Sequence, residues 1–440
     1  MTKSFHKALF LTLVGICLAL FLPASAVAQI YLDISEPQMR RIPLAIPDFV
    51  VEATQPAAPA AARQGEQLLR EFLDFTGFFN ILPPQGYLTD LGRGVTESQI
   101  RFSDWTAIGA ELLVSARVVD RGGRLSFELR LFDTFANAVL AGRAYTAHPD
   151  QVRDVIRRFS AEIIYRLTGT RGVFETQIAF VSTGPGNKEI FFCEFDGNAP
   201  TQVTRDSVIA LSPAWSSDGR HLAYTAYKDV GPQIYVRDIG TRTAWNIAHG
   251  SLNITPAWRP GAFEMAATLS LENNQDIYAL TGNGKIIKRL TQAWDIDVSP
   301  TWSPDGKRLA FVSERSGGTH IFVMNADGSQ VTRLTFSGRE NTEPAWSPNG
   351  RYIAYTSRVG GRNEIFVMNE DGSRPRQLTG GGGDNESASW SPDSTLIAFS
   401  STREGVSRIY VMNANGTAQR RLLVLPGQQS QPAWSPSMAQ

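Results

Sequence analysis

The sequence predicts a mainly β fold: a six-bladed β-propeller whose C-terminal strand closes the first blade, preceded by a small α/β domain. Three observations carry this reading. Tryptophan recurs at Trp215, Trp258, Trp302, Trp346, Trp390 and Trp434, a period of 43 or 44 residues that suits one blade of four strands. Every unit repeats the same order of short apolar runs and hairpin turns. The N-terminal third lacks the repeat and carries helical spacing instead.

Within a unit the tryptophan ends one strand, as in Pro344-Ala345-Trp346, and a tight turn follows at Ser217-Asp218-Gly219, Pro304-Asp305-Gly306 or Pro348-Asn349-Gly350. A second strand comes next (Leu309-Ala310-Phe311, Ile353-Ala354-Tyr355, and a degenerate Met265-Ala266-Ala267), then a third (Ile321-Phe322-Val323-Met324, Ile365-Phe366-Val367-Met368). Asp327-Gly328, Asp371-Gly372 and Asn415-Gly416 supply the positive φ that a hairpin into a fourth strand demands. These turns would break any helix of useful length. The run at 177–204 has no tryptophan strand before it, and Pro432-Ala433-Trp434 has no unit after it. A closed ring resolves both: the last strand completes the blade that begins at residue 177 and removes open sheet edges. The tryptophans are expected to pack within and between blades.

Residues 1–28 read as a secretory signal: Lys3 and Lys7, an uncharged apolar run from Ala8 to Leu22, then Ala26-Val27-Ala28. Cleavage there leaves a chain starting at Gln29, expected to be soluble, exported and monomeric. Residues 29–172 form the α/β domain. A strand is expected over Ile42–Val51, a helix over Ala58–Phe75 with Leu68, Leu69, Phe72 and Leu73 on one side, strands over Leu112–Val119, Leu125–Phe132 and Val139–Ala147, and a helix over Pro149–Leu167. Residues 173–440 form the propeller. Removal of the signal leaves Cys193 as a single thiol, which excludes an intrachain disulfide.

Lys+Arg and Asp+Glu number 42 each, and hydrophobic residues make 42% of 440. The balance excludes a strongly basic nucleic-acid binder, and the apolar fraction excludes disorder over most of the chain. Chemistry is sparse. The four histidines after the signal show no metal-ligand spacing, so no metal and no cofactor are expected. His320 stands where Glu364 falls one repeat later, which suggests a tolerated surface position. No Gly-x-Ser-x-Gly elbow or phosphate-binding loop occurs, and catalytic residues are expected to be absent. The loops entering the tryptophan strands are polar and often acidic. Asn253, Asp295, Asp297, Glu340, Asn341, Thr342, Glu343, Asp384, Asn385, Glu386 and Gln429 would ring one mouth of the channel and make a docking face for a protein segment of basic character. An exported hydrolase or lyase, and a sensor of glycans or small ligands, stay open as alternatives.

The order signal, α/β domain, six-bladed ring, together with Pro300-Thr301-Trp302-Ser303-Pro304-Asp305-Gly306 and Ile365-Phe366-Val367-Met368-Asn369-Glu370-Asp371-Gly372, resembles the TolB family of periplasmic Tol-Pal components from about Gln29 to Pro436. Arg259-Pro260-Gly261 and Ala388 depart from the repeat pattern. The resemblance implies a non-enzymatic periplasmic scaffold that supports outer-membrane integrity and its invagination at cell division. It implies that the propeller mouth receives the peptidoglycan-associated lipoprotein. It also implies that the mature N-terminus, here Gln29, Ile30, Tyr31, Leu32, Asp33 and Ile34, engages inner-membrane Tol proteins such as TolA.

Overall fold

The computed structural model describes residues 40–52, 57–87, 94–228 and 231–438. The signal and the segment 29–34 lie outside them. Six strands precede the ring: β1 (Ile42–Ala45), β2 (Val50–Glu52), β3 (Phe79–Ile81), β4 (Leu112–Asp120), β5 (Leu125–Asp133) and β6 (Ala138–Ala147). They form one sheet in the order β3-β1-β4-β5-β6, with β2 also pairing with β4. The single strand expected over residues 42–51 is two, because Pro47 removes a ladder donor between them; both run parallel to β4. Helix α1 (Ala57–Phe75) buries Ala58, Ala61, Ala62, Leu69, Phe72 and Leu73 at helical spacing. A short helix α2 (Phe102–Ala107) puts Trp105 in the core. Helix α3 (Val152–Thr168) packs on α1 and on β6. It ends at Gly169, whose φ of 78° lets its N–H reach the Tyr165 carbonyl at 2.9 Å.

Six four-stranded sheets follow. In the first, β7 (Gln177–Ser182), β8 (Glu189–Glu194) and β9 (Thr201–Gln202) are joined by the C-terminal strand Gln429–Trp434, in antiparallel register Gln429↔Ser182, Ala433↔Ala179 and Trp434↔Ile178. This is blade 1. Blades 2 to 6 open with Ala210–Trp215, Leu252–Trp258, Asp297–Trp302, Asn341–Trp346 and Asn385–Trp390. The degenerate run at Met265 is a regular second strand, Glu264–Ser270.

The tryptophans seal neighbours together. Trp215, Trp302 and Trp390 each donate their indole N–H to an alanine carbonyl of the preceding blade, at 3.0, 3.1 and 3.0 Å. The residue six positions after a tryptophan lies over the next blade's ring: Arg308 over Trp346 and Tyr352 stacked on Trp390. Trp346 bonds instead to the Gly350 carbonyl of its own blade, and the Trp258 indole N–H has no partner among the described residues, so ring packing is what the seams share. At the closure, Trp434 donates to Thr176 Oγ1 at 2.8 Å, and its backbone N–H reaches Ser389 Oγ of blade 6 at 2.8 Å.

The α/β part packs on the end of the ring where third strands turn into fourth strands. Phe72, Phe75 and Phe174 surround Phe195, with centroids 5.1–5.3 Å from it. Arg153 pairs with Glu194 and Asp196. Arg420 donates to the Phe75 carbonyl at 2.6 Å and lies over the Phe75 ring; burial pulls its pKa down to about 10. The opposite end of the ring faces away from these contacts.

Trp434→Ala is expected to cost about 3–5 kcal/mol, because it empties the seam that closes the ring. Trp294→Ala, at a fully exposed position, should stay within about 0.5 kcal/mol of the parent. Urea denaturation of both variants checks the pair.

Candidate functional site

Each blade's first strand carries the same irregularity. Between Leu211 and Ala214 two residues oppose one on the second strand, and the same shift recurs at Ile254/Ala257, Val298/Thr301, Thr342/Ala345, Glu386/Ser389 and Ser430/Ala433. The bulged residues Ser212, Thr255, Ser299, Glu343, Ser387 and Gln431 all have φ between 50° and 56°. Such a conformation costs a non-glycine residue of order 1–3 kcal/mol. A bulge turns two successive side chains to one side, so both the bulged residue and the residue after it face the axis. Together they line a central cavity of roughly 200 Å³, walled by five prolines and Ala388. Proline fits this innermost edge, where no ladder donor is needed.

Glu343 is the one carboxylate on that wall. It accepts from Thr356 Oγ1 at 2.8 Å and, in the next blade, from the Ser387 N–H at 2.8 Å and Ser387 Oγ at 2.9 Å. Glu386 accepts from the Asn363 amide. Burial, then the nearby charges of Glu343 and Asp384, push its pKa above the usual carboxylate range.

The eleven predicted mouth residues divide in two. Asn253, Asp297, Asn341, Asn385 and Gln429 are buried, five positions before their tryptophans. They pin the loops rather than present them. Asp297 holds Arg315 through both oxygens at 2.8 and 2.7 Å. Asn385 bridges Glu364 and Arg403, at 3.0 and 2.9 Å. Gln429 accepts from Arg408 at 2.9 Å, and Asn253 accepts from the His249 N–H at 2.8 Å. The strand period of two sends these side chains away from the axis into the seam. Asn341 contacts His320, which is likewise buried and bonded to Arg333. The surface position expected for His320 is therefore corrected: it belongs to a repeated polar seam that also holds Glu189, Asp276 and Glu364. Asp295 and Glu340 are exposed, while Thr342, Glu343, Asp384 and Glu386 are partly so. Nor is the mouth strongly acidic, since arginine and lysine offset its carboxylates: Glu340 pairs with Arg358, Glu404 with Arg421, Glu272 with Arg289 and Asp206 with Lys228.

What sequence reasoning missed at this end is apolar. Trp294 is 99% exposed, Val424 80% and Phe336 76%, all in loops entering a blade's first strand. Ile209 in another such loop, and Tyr227, Leu271, Val359 and Val406 beside the hairpins joining second to third strands, are exposed at the same end. Eight exposed apolar side chains thus stand at this end of the ring. The available signal was their absence from the repeat: Trp294 and Phe336 have no counterpart one blade away. Among the described residues, no group of three or more His, Cys, Asp and Glu side chains could hold a metal ion, and no helix is long and apolar enough to cross a membrane.

These features define a class: a six-bladed β-propeller closed by its own C-terminal strand, with a small α/β domain on one end. Residues 164–438 match the family described as TolB beta propeller domain, and residues 30–140 match the TolB amino-terminal domain. The chain belongs to the TolB family. It is 49% identical over 286 residues to the Tol-Pal system protein TolB of Desulfosudis oleivorans, covering 64% of this chain and 65% of that relative. It is 44% identical over 231 residues to the protein TolB homolog of Chlorobaculum tepidum, covering 52% of each. The matched stretches thus span less than two thirds of either relative. The crystal structure of TolB from Acinetobacter baumannii superposes with a TM-score of 0.77 at 25% identity, over 93% of this chain and 100% of that one.

Two predictions follow from the buried polar seams and the partly buried carboxylate Glu386 at the mouth. Asp297→Ala leaves Arg315 unpaired beside an empty seam and should cost about 3–5 kcal/mol, whereas Asp295→Ala should leave the melting temperature unchanged; calorimetric melting separates the two. Glu386 binds its proton more tightly folded than unfolded, so its ionisation weakens the fold as pH rises through its raised pKa. Glu386→Gln should therefore melt above the parent at pH 7.5, with the gap closing as pH falls below the carboxylate range.

Proposed function

We propose that this protein is a periplasmic, non-enzymatic scaffold of the Tol-Pal system that uses the exposed apolar end of its propeller to dock the peptidoglycan-associated lipoprotein. Its mature N-terminal segment, residues 29–34, engages inner-membrane Tol proteins such as TolA. In that role it bridges the two membranes and supports outer-membrane integrity and invagination at division. The observation that carries the reading is the asymmetry of the ring. Residues that repeat in every blade are consumed by closure and packing, whereas Trp294, Phe336 and Val424 break the repeat and stand in solvent on the end away from the α/β domain. Large exposed aromatics surrounded by polar groups are the usual anchors of a protein interface. Asp295, Glu340, Thr342, Asp384, Glu386 and the channel residue Glu343 supply the polar rim.

One observation favours a second reading. An exposed tryptophan also suits the face of a sugar ring, so a glycan-binding role would use Trp294. The spread of Ile209, Leu271, Val359 and Val424 around the same end fits a protein surface better, because aliphatic side chains offer a sugar little.

Titration calorimetry with the soluble domain of the lipoprotein tests the proposal. Trp294→Ala with Phe336→Ala should weaken binding at least about tenfold without moving the melting temperature. Removing residues 29–38 should abolish TolA binding and spare lipoprotein binding. Unchanged lipoprotein affinity in the double variant would reject the docking face, and binding of a peptidoglycan fragment lost in Trp294→Ala would favour the glycan reading. Glu343→Lys with Glu386→Lys is the weaker test, because Glu343 also holds blades 5 and 6 together.

A further inference from the structure

A second concavity lies far from the mouth, between the α/β part and blade 1. It measures roughly 630 Å³ and is walled by β6, α3, the segment leading into β7, and Met438. That volume is in the range of small-molecule sites. Arg143 projects from β6, Arg157 and Arg158 from α3, and Arg171 from the connecting segment. Four guanidinium groups drawn from three separate pieces of chain meet here; Arg143, Arg158 and Arg171 are exposed along the rim and Arg157 is partly buried.

The carboxylates around the cleft answer only some of that charge. Glu194 is taken up by Arg153, which also holds Asp196. Glu162 is shared between Arg143 at 2.8 Å and Arg166 at 2.9 Å. Asp154 and Glu175 reach Arg157 and Arg171 only at 3.3 Å. Arg158 has neither a hydrogen bond nor an ion pair among the described residues, and the Tyr145 hydroxyl, inside the same cleft, has no hydrogen bond among them. Burial raises the Tyr145 pKa, so the hydroxyl stays protonated and able to donate at neutral pH; the charges of Arg143, Arg158 and Arg171 act on it against that of Glu162. Arg143, Arg158 and Arg171 thus line the same cleft as a hydroxyl that is free to donate.

We infer that this cleft binds a phosphate-bearing ligand, held by Arg143, Arg158 and Arg171 with a hydrogen bond from Tyr145. Guanidinium matches phosphate through paired, charge-assisted hydrogen bonds. Phe174 and Met438 supply an apolar wall for whatever carries the phosphate. A soluble phosphate ester and a phospholipid headgroup share this chemistry. The site is separate from the mouth, which lies at the other end of the ring.

Titration calorimetry of the full mature protein with inorganic pyrophosphate and with glycerol phosphate, at fixed ionic strength against a chloride control, tests the soluble arm. Flotation with phosphatidylglycerol vesicles against phosphatidylcholine vesicles tests the headgroup arm. Saturable binding in either arm, weakened at least about tenfold in Arg158→Gln with Arg171→Gln, is the expected result. Which arm responds identifies the source of the phosphate. Arg158 has no partner to lose, so the single variant Arg158→Gln should keep the parent's melting temperature and still weaken binding. Binding absent from both arms, or equal in parent and double variant, would overturn the inference.

Discussion

Ring closure by the C-terminal strand is the constraint on which the rest of this structure depends. Trp434 pairs with Ile178 across a separation of some 250 residues, and the indole of Trp434 is held by Thr176 just before the first blade. The seams among blades 2 to 6 can form between neighbours in sequence, but both seams of blade 1 must wait for the C-terminal strand, which also supplies the Ala433 carbonyl to Trp215. A loop of that size carries a large closure entropy, so its contacts form late and must be strong once made. The Trp434 backbone bond to Ser389 and the Gln431 bond to Ser400 tie the same strand to blade 6, and from blade 2 the Trp215 indole donates to the Ala433 carbonyl and the Ser212 N–H to the Gln431 side chain, so both neighbours of blade 1 hold it.

Closure in turn dictates what can line the axis. Six inner strands packed around a narrow channel leave little room for large side chains. The structure answers with a bulge in every blade, which turns a small or polar residue and a proline toward the axis at the cost of six left-handed backbone positions. The strain is carried by the same register that buries Asn253, Asp297, Asn341, Asn385 and Gln429 in the seams. Polar residues entering the channel strands are therefore first of all structural. The residues that break the symmetry are of another kind, and the largest of these, Trp294 and Phe336, stand on the end that the α/β domain leaves free.

The repeat made the sequence unusually legible at one level. Trp spacing, Asp-Gly turns and the unmatched ends at residues 177 and 434 were enough to specify blade architecture and the strand that closes it. Helices α1 and α3 and the hairpin of β4 and β5 followed from periodicity. Short elements without a pattern, β3 and α2, escaped because three to six residues give no periodicity to read. At the mouth the sequence read Asn253, Asp297, Asn341, Asn385 and Gln429 as part of a docking face, whereas the structure buries them. A polar residue beside a strand looks alike whether it faces solvent or a seam, and a lone tryptophan in a polar loop is outweighed by its neighbours.

By itself, then, the sequence determined the order of elements, the number of blades and the family, because these rest on local propensities and a period written into the chain. Only the tertiary structure decided which polar residues are exposed, which carboxylates meet an arginine, and which residues far apart in sequence share one end of the ring or one cleft. Those relations depend on side-chain direction and long-range proximity: a bulge of one residue reverses a face, and Arg143, Arg158 and Arg171 become neighbours only when the sheet, the helix and the first blade have packed.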